Sequence, residues 1–296
     1  MTDSIPQQFA QLAPKHFDPK AAPAPVHCKG GVVWVSSPAL DRLPWLVNGT
    51  STRIGGVSTG HTASMNFCLN EFDTAENVAR NRETFFEAVG IDPESVVNSR
   101  QVHKTDIAVV DEAMMAMSPE QRAALNGDID GLTTDVAGVT LACYSADCCI
   151  VTVADPANRA VGIVHAGWRG TVGKIAAKLL DVMAERYGTD PGDVVCSIAP
   201  SICRDCFEVG PDVVDTAREA FDDRACEAIF TAHGNGDGKY QFDLWEANAQ
   251  VLMGAGVPRE SIEKPNLCTC CNPDLFFSHR ASHGKRGTIM TFVGLR

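Results

Sequence analysis

The chain has 296 residues, of which 45% are hydrophobic, and a formal net charge of −12. That length suits one large α/β domain or two small ones, and the apolar content is enough for a sizeable core. The negative balance argues against nucleic acid or an anionic membrane surface as partner, since both call for a basic face, and no apolar run is long enough to span a bilayer.

Residues 1–30 are rich in Pro and Ala and lack both a basic start and an apolar h-region, so they read as a loose leader and not a secretory signal. A cytoplasmic location is therefore expected, and the Asn48-Gly49-Thr50 sequon carries no meaning there. In such a reducing compartment the 12 cysteines are expected as buried thiols, metal ligands or nucleophiles in preference to disulfides. The segment VVWVSS (32–37) is the first strand candidate, and the glycine-rich stretch 51–70 reads as a long loop on or near the surface. Apolar residues at helical intervals predict a helix over 76–89, stopped by Gly90. A strand at 107–111 places His103 just ahead of it.

The centre reads as three consecutive β segments, VTLACYSA (139–146), CIVTVAD (149–155) and AVGIVHAG (160–167). They are apolar throughout, which predicts a sheet covered on both faces. An amphipathic helix over 173–188 follows, then a strand at 194–200, helices at 211–221 and 243–253, and a closing strand at 288–295. No repeat or linker interrupts the run after about residue 30. The expected organisation is a leader over 1–30 and one mixed α/β domain over 31–296.

Three features carry chemistry: Gln101-Val102-His103, Ala146-Asp147-Cys148, and the run from His165 to Gly170. Two histidines and one cysteine make a three-ligand set, which leaves a fourth tetrahedral position open for water or substrate, as in catalytic zinc sites. Taken singly, each has a plainer reading, since a strand-end His is commonly a packing residue and a Cys between apolar strands a buried small hydrophobe. Other signals carry less. Gly56-Val57-Ser58-Thr59-Gly60 matches a nucleophile elbow without the helix that should follow. Cys203, Cys206, Cys268, Cys270 and Cys271 have spacing suggestive of a second, structural zinc, but read as buried thiols. GNGDGK (234–239) has no apolar strand before it and reads as a polar loop.

The blocks GLTTDVAGVTLACYSADCCIVTVADPANRAVGIVHAGWRG, IAPSICRDCFEVG and LCTCCNPDLFFSHR, joined in register by TRIGGVS with Met65-Asn66, the QVH block and FDLWEANAQVL, resemble the signature of the YfiH-type laccase-domain family. This family is also called multicopper polyphenol oxidase-like or purine nucleoside phosphorylase, and the resemblance covers about residue 50 to the C-terminus. It implies a single mixed α/β domain of stacked β-sheets flanked by helices, similar to the cysteine-dependent deamidase domain of cytotoxic necrotizing factors. It implies zinc on His103, Cys148 and His165, and phosphorolysis of adenosine, inosine and methylthioadenosine, with adenosine deamination beside it. The chain departs from the family pattern at Lys104, at Cys149 and in its CTCC and HRAS runs.

For that chemistry, Arg169 at a strand-to-helix turn is the first candidate for phosphate, with Arg53 and Arg280 next; the plain alternative for each is a surface ion pair. Asp147 is read as a general acid/base or as a partner orienting a ligand. Asn66 is carried as a substrate contact, and Trp168 and Phe277 as purine-stacking or core residues. Copper suits the same His2Cys set, but one such site cannot reduce oxygen by four electrons, so oxidase chemistry ranks below nucleoside chemistry. A cysteine hydrolase with Cys148 as nucleophile and His165 as base, linked in the family to editing of peptidoglycan precursors, is the alternative enzyme. A non-catalytic metal-binding protein is the alternative of another class. The oligomeric state is left open.

Overall fold

The architecture follows from strands whose successive side chains enter two different cores. The structure, a computed structural model, describes residues 15–18, 23–125, 127–233 and 236–296. Much of the expected leader (1–14 and 19–22) and the start of the 234–239 loop lie outside the described residues.

One sheet has the spatial order β1 (Val26–Lys29), β2 (Val32–Val35), β3 (Leu46–Ser51), β15 (Ile289–Leu295), β7 (Thr140–Ser145) and β4 (Val96–Asn98). A second has the order β14 (Ile262–Glu263), β10 (Val195–Ile198), β8 (Cys149–Asp155), β9 (Ala160–Ala166), β6 (Gly131–Thr134) and β5 (Ile107–Val109). A small third sheet joins β11 (Glu208–Val209), β13 (Tyr240–Phe242) and β12 (Phe230–Ala232).

Leu141, Cys143 and Val293 of the first sheet meet Leu132, Ile150 and Ile163 of the second in the core between them. One residue along each strand, Ala142, Tyr144, Met290 and Phe292 turn outward and are covered by Phe85 and Phe86 of the helix Ala75–Val89. On the far side, Val151, Val153 and Val164 turn outward under the helices Ile175–Tyr187 and Leu244–Gly254. Both sheets are thus apolar on both faces, and the fold is mixed α/β with stacked sheets flanked by helices, as expected.

Three details differ from the sequence reading. The three central β segments do not share a sheet: β7 belongs to the first, while β8 and β9 form a hairpin in the second. The chain crosses between sheets at Ala146–Cys148. Residues Val26–Lys29, assigned to the leader, pair antiparallel with β2; Gly30 and Gly31, with φ of 58° and 82°, supply the two positive dihedrals that such a tight hairpin needs. The loop after β3 is not superficial. Thr52, Met65, Asn66 and Phe67 are fully buried, and polar side chains serve its backbone in place of water. Asn81 accepts from Val57 N–H and donates to Ser58 Oγ and to the Asn66 carbonyl, while Ser58 Oγ donates to Asp73. Ser58 is thereby committed to this network, not poised as a nucleophile. Among the described residues, no helix is long and apolar enough to cross a membrane.

The helix Ile175–Tyr187 seals the outer face of the second sheet through fully buried Leu179 and Met183. Leu179→Ala is expected to cost about 2–5 kcal/mol in urea unfolding, whereas Glu185→Ala, on the solvent side of the same helix, should change stability by about 0.5 kcal/mol or less.

Candidate metal centre

Three chain segments meet where β9 ends and the chain crosses from β7 to β8. His165, next to last in β9, shares the inter-sheet side with Val161 and Ile163 and is 3% exposed. Its backbone N–H donates to the Asp130 carbonyl at 2.7 Å, and its Nδ1 lies 2.9 Å from Asp130 Oδ1. That contact leaves Nε2 for Cys148.

Asp130, fully buried at the entry to β6, organises the second segment as well. Its Oδ2 accepts the backbone N–H groups of Val102 at 3.0 Å and Lys104 at 2.8 Å, and its Oδ1 that of His103 at 3.0 Å. Successive amides pointing at one carboxylate form an anion nest, and the turn holds His103 at a φ of 61°. Just before it, the Gln101 side chain donates to the Tyr144 carbonyl and accepts the Tyr144 N–H, both at 2.6 Å. It thus extends the ladder of β7 by one rung after β4 has ended. Burial alone would raise the Asp130 carboxyl pKa; the bonds from His165, Lys104 and Val102 outweigh it and hold the group below its usual value.

Cys148 follows Asp147, whose φ is 89°. This turn is pinned from behind, with Thr269 Oγ1 and Arg280 N–H donating to the two carboxylate oxygens of Asp147, each at 2.6 Å. Ile202 N–H donates to its carbonyl at 2.9 Å.

Ligand atoms of His103, Cys148 and His165 all lie within 4.8 Å of one another, and the two imidazole centroids are 4.8 Å apart. Burial would lower the His165 pKa, but its hydrogen bonds with Asp130 and Cys148 and their negative charges raise it to about 9. The His103 ring, though open to solvent on one side, is shifted down by burial and by the nearby His165, against an opposing pull from Asp130, with Arg169 adding a smaller downward push. A neutral imidazole is the form that ligates.

Gly167 supplies the test of fit. A Cβ built there would stand 3.1 Å from Cys148 Sγ, 3.3 Å from His103 Nδ1 and 3.6 Å from His165 Cε1. The missing side chain leaves a gap that all three donors border. Two imidazoles and a thiolate around such a gap suit zinc, with one coordination position free.

The three residues line a cavity of about 540 Å³, the size of a small-ligand site. Arg82, Arg100, Gln101, Tyr144, Ser145 and Arg286 share the wall. Arg82 is half committed, donating Nε and Nη2 to the Phe67 carbonyl. Ser145 Oγ and Arg286 Nε are buried without a hydrogen-bond partner. Sequence reasoning missed Asp130, Arg82, Ser145 and Arg286; no local pattern marks Asp130, which directly precedes the GLTTD run at 131–135.

The other predicted site residues are scattered. Arg169 is exposed, stacks over the Trp168 ring at 4.3 Å, and is close enough to His103 to influence its charge. Trp168 packs against the outer core of the second sheet, with that guanidinium on its face. Arg53 donates to the Ala63 and Pro273 carbonyls and stacks on buried Phe277, on the wall of a different cavity. Arg280 donates its guanidinium to the Cys206 and Glu208 carbonyls. Asn66 is buried and bonded to Cys68, Asp73 and Thr288. Arg53, Arg280 and Asn66 thus have side-chain donors already engaged by carbonyl and carboxylate groups of these loops. Asp147 spends both carboxylate oxygens on Thr269 and Arg280, so the ligand-orienting position falls to Asp130.

A family model described as multi-copper polyphenol oxidoreductase laccase matches residues 47–296. An enzyme named purine nucleoside phosphorylase YlmD, from Geobacillus stearothermophilus, is 36% identical over 250 residues, covering 84% of this chain and 90% of the relative. One named adenosine deaminase RL5, from an unknown prokaryotic organism, is 36% identical over 251 residues, covering 84% of this chain and 93% of the relative. The crystal structure of YlmD from Geobacillus stearothermophilus superposes with a TM-score of 0.81 at 33% identity, covering 96% of this chain and 99% of that one.

The gap at Gly167 has a direct check. Its φ of −61° and ψ of 171° are open to any residue, so Gly167→Ala strains no backbone, and the chelated protein should lose little stability as the Cys148 and His103 side chains shift to admit the methyl. The added methyl should lower zinc affinity, read by competition with a chromophoric chelator. Equal affinity in the two proteins would place the ion elsewhere.

Proposed function

The chain belongs to the multi-copper polyphenol oxidoreductase laccase family, and we propose that it is a zinc-dependent purine nucleoside phosphorylase acting on adenosine, inosine and methylthioadenosine, with adenosine deamination as a second activity. The observation that carries this reading is the convergence of His103, Cys148 and His165 on the Gly167 gap, at the wall of a cavity that also presents arginine. The relatives named for phosphorolysis and for deamination fit it. The functional unit in this proposal is one domain, which now includes β1.

His103 through Nδ1, Cys148 through Sγ and His165 through Nε2 would hold the zinc. When bound, the ion supplies a positive centre that orients an anionic oxygen and lowers the pKa of water. The chain's own residues do the rest. Asp130 stays ionised and fixes the His165 tautomer by occupying Nδ1. Phosphorolysis brings a multiply charged oxyanion beside a ribose, so the site must offer cationic donors not already spent. Arg286 is the best placed, because its Nε is buried and unpartnered on the cavity wall, although its Nη1 donates to the Gly287 carbonyl at 3.3 Å. It takes over the phosphate-binding role assigned from sequence to Arg53 and Arg280, whose donors are engaged elsewhere. Arg169, close to His103, is retained as a second contact from the open side. The Ser145 hydroxyl, also unpartnered, is a donor for a ribose or phosphate oxygen.

A second reading has its own observation. Cys148, His165 and Asp130 stand in the order thiol, imidazole, carboxylate, the arrangement of a cysteine hydrolase. Activity that survives chelation and dies on alkylation would select it. Copper-dependent polyphenol oxidation ranks lower: among the described residues, only one ligand cluster contains histidine.

Purified protein should release hypoxanthine or adenine from nucleosides only when phosphate is present. Cys148→Ala should lose zinc and this activity together, and retention of stoichiometric zinc in that variant rejects the ligand assignment. Arg286→Gln should raise the phosphate KM about 10- to 100-fold, the worth of a charge-assisted hydrogen bond, with a much smaller change in the nucleoside KM. Equal changes in both constants would remove its proposed role.

A further inference from the structure

A second cluster of soft ligands lies outside the cavity. Two Cys-x-x-Cys pairs, Cys203/Cys206 and Cys268/Cys271, come from segments more than 60 residues apart in sequence, yet their four sulfurs all lie within 4.8 Å of one another. Cys270 is not among the four. The segments are already aligned, with Ser201 and Cys268 forming a parallel bridge and Thr269 N–H donating to the Ser201 carbonyl at 3.1 Å.

The spacing discriminates between the states open to such a group. A disulfide needs sulfurs about 2.0 Å apart, whereas Cys206 and Cys271 stand at 3.4 Å. Four sulfurs on a tetrahedron about 2.3 Å from a central zinc are about 3.8 Å from one another. Backbone amides also point at the sulfur of Cys268, from Cys203 at 3.2 Å and from Cys271, three residues on, at 3.4 Å. Amides that donate to sulfur favour the thiolate over the thiol and orient it. Cys203 and Cys268 are 1% exposed, while Cys206 and Cys271 are half-buried, so the group has a closed inner side and an outer side through which a cation can enter. Zinc with four sulfur ligands has no position left for substrate, which is the signature of a structural site. The reading of these cysteines as ordinary buried thiols does not explain why four of them meet.

We propose that Cys203, Cys206, Cys268 and Cys271 bind a second, structural zinc ion as four thiolates, the thiol protons passing to solvent as the metal binds. The ion ties the turn after β10 to the turn before the C-terminal loops. Its place gives it a particular task. Thr269, inside one pair, donates to Asp147; Ile202, next to the other, donates to the Asp147 carbonyl; and Arg280, which donates its backbone N–H to Asp147, anchors its guanidinium on the Cys206 carbonyl. All the contacts that hold the turn carrying Cys148 from behind thus radiate from the tetrathiolate.

Metal counting on the full chain, purified under reductant without added chelator, tests this. Wild type should carry two zinc ions. Cys148→Ala, which leaves the four-cysteine group intact, should carry one, as should the double variant Cys206→Ser/Cys271→Ser. Cobalt replacement separates the two ions, because the intense sulfur-to-cobalt absorption of a tetrathiolate should persist in Cys148→Ala and vanish in the double variant. The Cys148→Ala arm keeps the test valid if the double variant folds poorly. Thiol titration of unreduced, denatured wild type should return all 12 cysteines. A metal-free Cys148→Ala protein, or a titration four thiols short, would falsify the proposal.

Discussion

The Asp130 carboxylate is the constraint on which the candidate centre depends. It is fully buried, and a buried carboxylate is tolerated only when its charge is answered by donors. Here the donors are the three amides of the turn around His103 and the ring of His165. One group therefore sets the backbone of a loop, the rotamer and tautomer of a strand-end imidazole, and the distance between the two. Neither histidine is placed by hydrophobic packing alone. A cation bound there would close a geometry that an internal ion network has already defined.

Around this network the protein uses polar side chains in place of backbone pairing. Gln101 extends a strand ladder with its amide, Asn66 and Asn81 satisfy the loop after β3, and Asp147 binds two segments to the crossing between the sheets. Each leaves little freedom near the centre, and each removes a residue from the pool available for substrate. The cavity wall then stands out by contrast, because Arg286 and Ser145 keep buried polar atoms without partners. Such atoms are costly to leave unpaired, about 1–3 kcal/mol each, and a bound oxyanion or sugar would supply what they lack.

The fold was legible where periodicity carried it. The helices at 75–89 and 175–187 and the three central strands came directly from apolar spacing, and the uninterrupted apolar character of those strands signalled burial on both faces. Their division between two sheets was not legible, because nothing local marks a turn that stays in a sheet from one that leaves it. The triad His103, Cys148 and His165 was found by resemblance to family blocks, since spacing alone gave no local signature. Asp130 was overlooked because its partners lie about 27 and 35 residues away, and a lone Asp before a strand looks like any turn residue. The surroundings of the arginines were not legible for a related reason: sequence shows a charge but not which carbonyl it already serves. Arg53 and Arg280 look as available as Arg286 until the loops around them are built.

The position of β15 has a consequence for how the molecule comes into being. It pairs Thr291 with Thr50 on one side and Ile289 with Ser145 on the other, so the middle of the first sheet is occupied by its last-translated piece. Until that piece leaves the ribosome, β3 and β7 have no common neighbour, and the sheet remains split along its centre. The crossing turn with Cys148 hangs from the unfinished edge throughout that interval. Assembly is thus biased toward a late, cooperative closure with long sequence separation, a slow topology, and the turn that carries Cys148 gains its full support from the first sheet only when β15 is in place.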